Sequence, residues 1–330
     1  MKSKLLINTV LGVSLLAPLT VQSKVNPIEQ RIMKFYDNPF KYLEEHFKRR
    51  QIDKFNEIEA KRLEEMKITK TVKDKGQMEL EELVYLGLIA EVGYPSFDLE
   101  AYKAQAVAIR TFILSNIKHK GKGFDLCGTT CCFALPDDKK IQGFTQEQLN
   151  RFRQAQEETK GQVLTYDGEI ISTPVFFAYG HGQTNAPEDV WSNSDNNKYP
   201  YLKPVDTPEQ KEPQEIILDK QEFLNKLNIK SFDEIDIKDR AFSGYVKSVR
   251  VGNKSYKGDE IRDLIKGLKS GNFHLYDLGD KVKIIAYGYG HGIGMSQFGA
   301  DTMAKQGKTY DEILKHYYTG IEIQQLSDLL

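Results

Sequence analysis

The segment Tyr287-Gly-Tyr-Gly-His-Gly-Ile-Gly-Met-Ser-Gln-Phe-Gly-Ala300 packs five glycines around His291, Ser296 and Gln297. Glycine at this density permits positive φ and lets the backbone approach a ligand closely. The apolar run from Val282 to Tyr287 reads as a strand, and Ser296 to Gln306 reads as a helix with Ser296 at its N-cap. A strand therefore hands over to a helix through a glycine loop that carries an imidazole, a hydroxyl and an amide. The loop lacks the Gly-Lys-Ser/Thr ending of a phosphate loop and has no acidic ribose-binding residue in the expected place, which argues against a nucleotide site.

The chain has 330 residues and a formal net charge of −1, with charges of both signs mixed along it. A dedicated nucleic-acid binder is usually basic, so that class is disfavoured. Lys2 and Lys4 precede an apolar run from Leu5 to about Val21, short for a spanning helix and close to a secretory h-region. Residues 1–23 read as a signal or an uncleaved anchor, and both place the remainder outside the cytoplasm. Residues 24–70 are charged, with apolar positions at helical spacing, and read as a helical stalk.

The body mixes helices and short strands with no regular βαβ period, which predicts an α+β fold of short antiparallel strands around a substrate groove. Helices are expected over Leu80–Val92 and Leu99–His119, and after a Thr145–Gln148 capping box. A strand over 162–166, an Asp167-Gly168 turn and a strand over 169–179 form one expected hairpin, and 246–251 with 254–256 form another. Thr309 opens a last helix. Residues 203–240, charged and punctuated by prolines, read as an insertion or subdomain. Glu91 ends an apolar helix, where partial desolvation would raise its pKa and preserve a proton for acid catalysis. A helix-end salt bridge is the plainer alternative. Glu79, Glu81 and Glu82 read as a solvated helix start.

Two blocks carry a family resemblance. The glycine segment resembles the C-terminal signature of the stage II sporulation protein D family, peptidoglycan lytic transglycosylases of spore-forming bacteria. Leu80–Glu91 followed by Leu99–Phe112 resembles that family's N-terminal signature, and Val246–Phe273 is a looser match. The resemblance runs from about residue 70 to the C-terminus and implies one catalytic domain over 71–330. It places Glu91 on the family's catalytic glutamate and Arg110 on a family arginine suited to binding a sugar substituent or steadying Glu91. Tyr179, His291, Ser296 and Gln297 become candidate sugar contacts. Where the family has a Ser-Thr-Ser-Gly-Gly type run, this chain has Ala178-Tyr-Gly-His-Gly182, so Tyr179 and His181 replace small hydroxyls. Trp191, the one tryptophan, reads equally as a sugar platform or as core.

The implied reaction cleaves the bond between N-acetylmuramic acid and N-acetylglucosamine in glycan strands stripped of stem peptides, leaving 1,6-anhydro ends. The implied partners are a cell-wall amidase and a membrane scaffold of the engulfment machinery, with a single-pass membrane location. A non-catalytic amidase enhancer and a muramidase-type hydrolase are the alternatives. All three cysteines lie close together: Cys127, Cys131 and Cys132, with His119 upstream. With His119 they supply the four ligands of a structural zinc site. Clostridial members of the family are similar in holding zinc by two histidines and two cysteines, with Cys131 here standing for the second histidine. A disulfide of Cys127 with Cys131 or Cys132 is the rival expectation.

Overall fold

The computed structural model describes residues 49, 50, 54, 68–92, 94, 96–116, 118–129, 134–191 and 198–329. The chain divides into the units Met1–Glu59 and Ala60–Leu330. Of the first, Arg49, Arg50 and Lys54 are described, all helical. The expected signal or anchor over 1–23, nearly all of the 24–70 stalk, and Cys131 and Cys132 lie outside the described residues. Among the described residues no helix is long and apolar enough to cross a membrane.

The second unit is α+β, as its aperiodic mixture of helix and strand patterns predicts. A hairpin of β1 (Thr69–Val72) and β2 (Gly76–Glu79) runs directly into α1 (Leu80–Glu91). Asp98 caps α2 (Leu99–Ser115) by accepting from the Glu100 N–H. Helix α2 is the axis of the main core: Ala101, Ala104, Ala106 and Ala108 are all buried, and such small side chains let neighbours approach from several sides. It stops at Ser115, one turn short of His119. Beyond α3 (Asp138–Gln142), α4 (Gln146–Glu158) begins with the expected Thr145–Gln148 box. Helices α1 and α4 pack on α2, as do α8 (Gln297–Lys305), α9 (Tyr310–Tyr317) and β3 (Gln162–Tyr166).

Strand β3 turns back through Asp167 (φ 50°) and Gly168 (φ 81°) into β4 (Glu169–Ile170), the expected two-residue hairpin. On its other edge it pairs with β15 (Glu322–Gln325). The long strand expected over 169–179 is broken. After Pro174, which has no N–H for a ladder, the chain forms only β5 (Phe176–Phe177), parallel to β14 (Met295–Ser296). A short pair, β6 (Gly182–Gln183) with β7 (Asp206–Thr207), flanks α5 (Pro187–Val190).

The expected insertion over 203–240 is redrawn. Residues up to about 213 return to the main core, whereas β8 (Gln214–Asp219) opens a second one. It continues through α6 (Lys220–Leu227), β9 (Ile235–Arg240), β10 (Val246–Val251), β11 (Lys254–Tyr256), α7 (Gly258–Leu264), β12 (Phe273–Asp277) and β13 (Lys281–Ala286). Two antiparallel sheets, β11-β10-β9 and β12-β13-β8, enclose Phe223, Val246, Val249, Ile261, Phe273, Val282 and Ile284. Strand β8 packs on α6, which follows it directly, and pairs with β13 some sixty residues later, so this core draws on residues from both sides of 240.

Candidate active site

Glu91 is the last residue of α1 and half-buried. Burial raises its carboxyl above the ordinary glutamate range, outweighing the charge of Lys140 and a hydrogen bond from the Ala134 backbone, which both pull it down. Lys140, from α3, also donates to the Ala90 carbonyl. The Glu91 carbonyl accepts from Gln297 Nε2 at 3.2 Å, and the same amide lies 3.4 Å from Gln105 Oε1. The first turn of α8 thus grips the end of α1 and fixes where Glu91 stands. Gln297 is buried, so its amide positions the helix end that carries the carboxylic acid.

The glycine loop performs a different task from the one its composition suggests. Its backbone approaches its own chain. Tyr179 and Tyr289 exchange backbone hydrogen bonds at 2.7 and 3.3 Å, Asn185 N–H donates to the Gly292 carbonyl at 2.6 Å, and Phe298 N–H donates to Ala178. Gly294 has φ 74°, and a Cβ there would stand 2.1 Å from the Val175 carbonyl oxygen. At Gly290 a Cβ would stand 2.8 Å from Phe177 Cβ. These contacts seat the loop beside residues 175–180.

Three of the expected sugar contacts have partners inside the protein. Ser296 is fully buried: its hydroxyl accepts from Gly299 N–H as the α8 cap and donates to Glu209. His291 accepts from Ile293 N–H through Nδ1 at 3.0 Å and also hydrogen-bonds the Phe176 backbone, so both ring nitrogens are used inside the protein. Burial, with Arg262 nearby, lowers it to about 4, leaving a neutral imidazole at neutral pH. Arg110 does not lie on a polar face. It is 0% exposed and forms a two-pronged pair with Glu81, Nε to Oε1 and Nη2 to Oε2, each at 2.7 Å. Glu81 is correspondingly no solvated helix start. It also accepts from Gln156 Nε2 and Gly161 N–H, and although burial alone would raise its carboxyl, Arg110 holds it below the usual range.

Tyr179 is half-buried and belongs to a row of aromatic rings. Tyr94, three residues beyond Glu91, meets Phe298 edge-on at 4.3 Å between centroids; Phe298 meets Tyr179 at 5.7 Å, and Tyr179 meets Tyr289 at 6.0 Å. Lys269 lies over the Tyr289 ring and Lys211 over Phe298. A cleft of about 440 Å³ opens beside Tyr94 and Phe298, lined also by Glu209, Lys211 and Asp301. Trp191 packs edge-on to Tyr199 and lies 6.3 Å from His291.

Sequence reasoning missed Tyr94, Phe298, Lys269 and Glu209. Tyr94 follows the Leu80–Glu91 block by three positions and Phe298 lies within the glycine segment, so their place in or next to those motifs is a usable signal. Glu209 had none. It sits in the charged stretch, yet is buried and accepts from Gly180 N–H at 2.6 Å and from the hydroxyls of Thr207 and Ser296. His119 is buried with its ring against Phe124, and Cys127 occupies the same loop after α2, with Thr129 as a hydrogen-bond partner.

Residues 69–166 match the family model described as Stage II sporulation protein. The chain is 34% identical over 267 residues to Stage II sporulation protein D of Bacillus subtilis (strain 168), covering 76% of each chain. It is 31% identical to an uncharacterized protein of Brachyspira hyodysenteriae, over 72% of this chain and 64% of that one. It is also 30% identical to the amidase enhancer of Bacillus subtilis, over 71% of this chain and 39% of the enhancer.

Proposed function

The chain belongs to the stage II sporulation protein D family, and from that premise we propose that it is a peptidoglycan lytic transglycosylase with Glu91 as its acid and base. The observation that carries the reading is the half-buried Glu91 carboxyl, raised by desolvation at a helix end that Gln297 and Lys140 hold in place. An acid that keeps its proton towards neutral pH suits protonation of a leaving glycosidic oxygen.

The proposed reaction needs no water. Glu91 gives its proton to the oxygen leaving C1 of N-acetylmuramic acid, and the glycosidic bond breaks. The Glu91 carboxylate then takes the proton of the C6 hydroxyl as O6 bonds to C1. The product is a 1,6-anhydromuramic end, and Glu91 is protonated again. Tyr179 lies in the aromatic row that ends at Tyr94 and would pack on a sugar face. The substrate is peptidoglycan glycan, stripped of stem peptides. A cell-wall amidase would supply it, a membrane scaffold would hold the protein at the engulfing septum, and the N-terminal segment would tether it to the membrane.

A structural zinc belongs to the same proposal. The donors present in the loop after α2, an imidazole at His119 and a thiol at Cys127, are of the types zinc prefers, and Cys131 and Cys132 would complete the set. Four protein ligands leave no open position, so the metal would stabilise the loop without entering the chemistry. Metal analysis of purified protein tests it: folded protein without zinc would refute the assignment.

The function is tested by mass spectrometry of glycan strands incubated with the protein and with Glu91→Gln. Anhydro ends made by the native protein and not by the variant are the expected result. Reducing ends would mean a hydrolase. The similarity to an amidase enhancer favours one alternative, a wall-binding protein without cleavage. Glycan binding with no cleavage product would support it.

A further inference from the structure

Resting on that reading, the question is how the site would recognise glycan that has lost its peptides. Removing a stem peptide converts the lactyl amide of muramic acid into a free carboxylate. The chemical mark of a stripped strand is therefore one negative charge per disaccharide, close to the scissile bond.

Lys269 is placed to read that charge. It is half-buried, and among the described residues its ammonium contacts the Tyr289 ring and no carboxylate. Its backbone is held on both sides: its N–H donates to Gln214 Oε1 at 2.9 Å, and its carbonyl accepts from Gly290 N–H at 2.9 Å. Its ammonium lies 5.5 Å from the centroid of Tyr289, a ring 45% exposed. Tyr289 continues through Tyr179 and Phe298 to Tyr94, three residues from Glu91. The Tyr94 phenol is raised by burial and by the Tyr179 and Tyr289 phenols, and pulled down by Lys269, so these groups share one space. An ammonium with no carboxylate beside it is free to form a charge-assisted bond when a ligand brings the anion.

We propose that Lys269, at the Tyr289 end of the row that runs through Tyr179 to Tyr94, forms an anion subsite for the lactyl carboxylate of peptide-free muramic acid. The phenols add hydrogen-bond donors and apolar ring faces for the sugar, and the lysine supplies the charge. A strand still carrying peptides presents an amide there and forfeits the charge-assisted bond.

The test is binding, measured by calorimetry with Glu91→Gln protein so that cleavage cannot intervene. Three glycan tetrasaccharides are compared: free lactyl acids, lactyl methylamides, and intact stem peptides. The free acid should bind about tenfold more tightly than the methylamide. Adding Lys269→Gln should abolish the difference, and Lys269→Arg should restore it. Equal affinity for acid and methylamide, or discrimination that survives Lys269→Gln, would overturn the assignment. So would peptide-bearing glycan binding as tightly as the free acid, because the cation would then read peptide carboxylates. Discrimination by a protein whose native form makes no anhydro ends would sink the transglycosylase reading and leave this subsite standing.

Discussion

Replacing Arg110 with methionine is expected to destabilise the fold by about 3 kcal/mol, because it strands a largely desolvated, half-buried carboxylate. Glu81 is held by two 2.7 Å bonds from Arg110, and its remaining donors are Gln156 Nε2 at 2.9 Å and Gly161 N–H at 3.3 Å. Those neutral donors cannot offset desolvation of the charge. Arg110→Met with Glu81→Leu removes the charge itself, but orphans the Gln156 and Gly161 donors. The double variant should therefore recover to within about 1–3 kcal/mol of the native protein. The assay is urea unfolding at neutral pH, run as a double-mutant cycle. Its pH dependence adds a sign. In the native protein Glu81 is lowered from 4.5, so its stabilising contribution is full above that value and is lost as pH falls through the lowered one. In Arg110→Met only the Gln156 and Gly161 bonds still oppose burial, and this contribution should reverse, with stability gained as Glu81 protonates. A variant destabilised by less than about 1 kcal/mol that nonetheless fails to cleave glycan would refute the buried-pair account and return Arg110 to the substrate.

Further outcomes can be checked on the same protein. Glu91→Gln should abolish anhydro products while being at least as stable as the native protein near neutral pH, because a carboxyl raised by burial favours the fold only while protonated; urea midpoints decide this. Glycan cleavage should decline with increasing pH as Glu91 ionises, at a pH above the 4.5 of an ordinary glutamate. His291, lowered from 6.5 to about 4, should make the fold lose stability as pH drops between those values, a slope that His291→Gln removes. Gly294→Ala should cost well over the roughly 1–2 kcal/mol of left-handed strain alone, since its Cβ meets the Val175 carbonyl; Gly279→Ala, with φ 90° and open space around it, should cost only that strain. Ser296→Ala should cost about 1–3 kcal/mol by uncapping α8 and removing a donor from Glu209, read by thermal unfolding.

Local patterns along the chain determined the helices and hairpins, because their signals lie within a few residues. The Thr145–Gln148 box, the Asp167-Gly168 turn and the end of α1 at Glu91 are all of this kind, and they suffice to place a carboxyl at the end of an apolar helix. The tertiary structure alone decided what each polar residue is for. Arg110 and Glu81 lie twenty-nine positions apart, and Glu209 reaches Ser296 across eighty-seven. No local pattern encodes which charges will be buried together, since desolvation is a property of everything that surrounds a group. The glycine loop shows the same division: its composition guarantees a close approach, but whether to a ligand or to residues 175–180 depends on what the fold brings beside it.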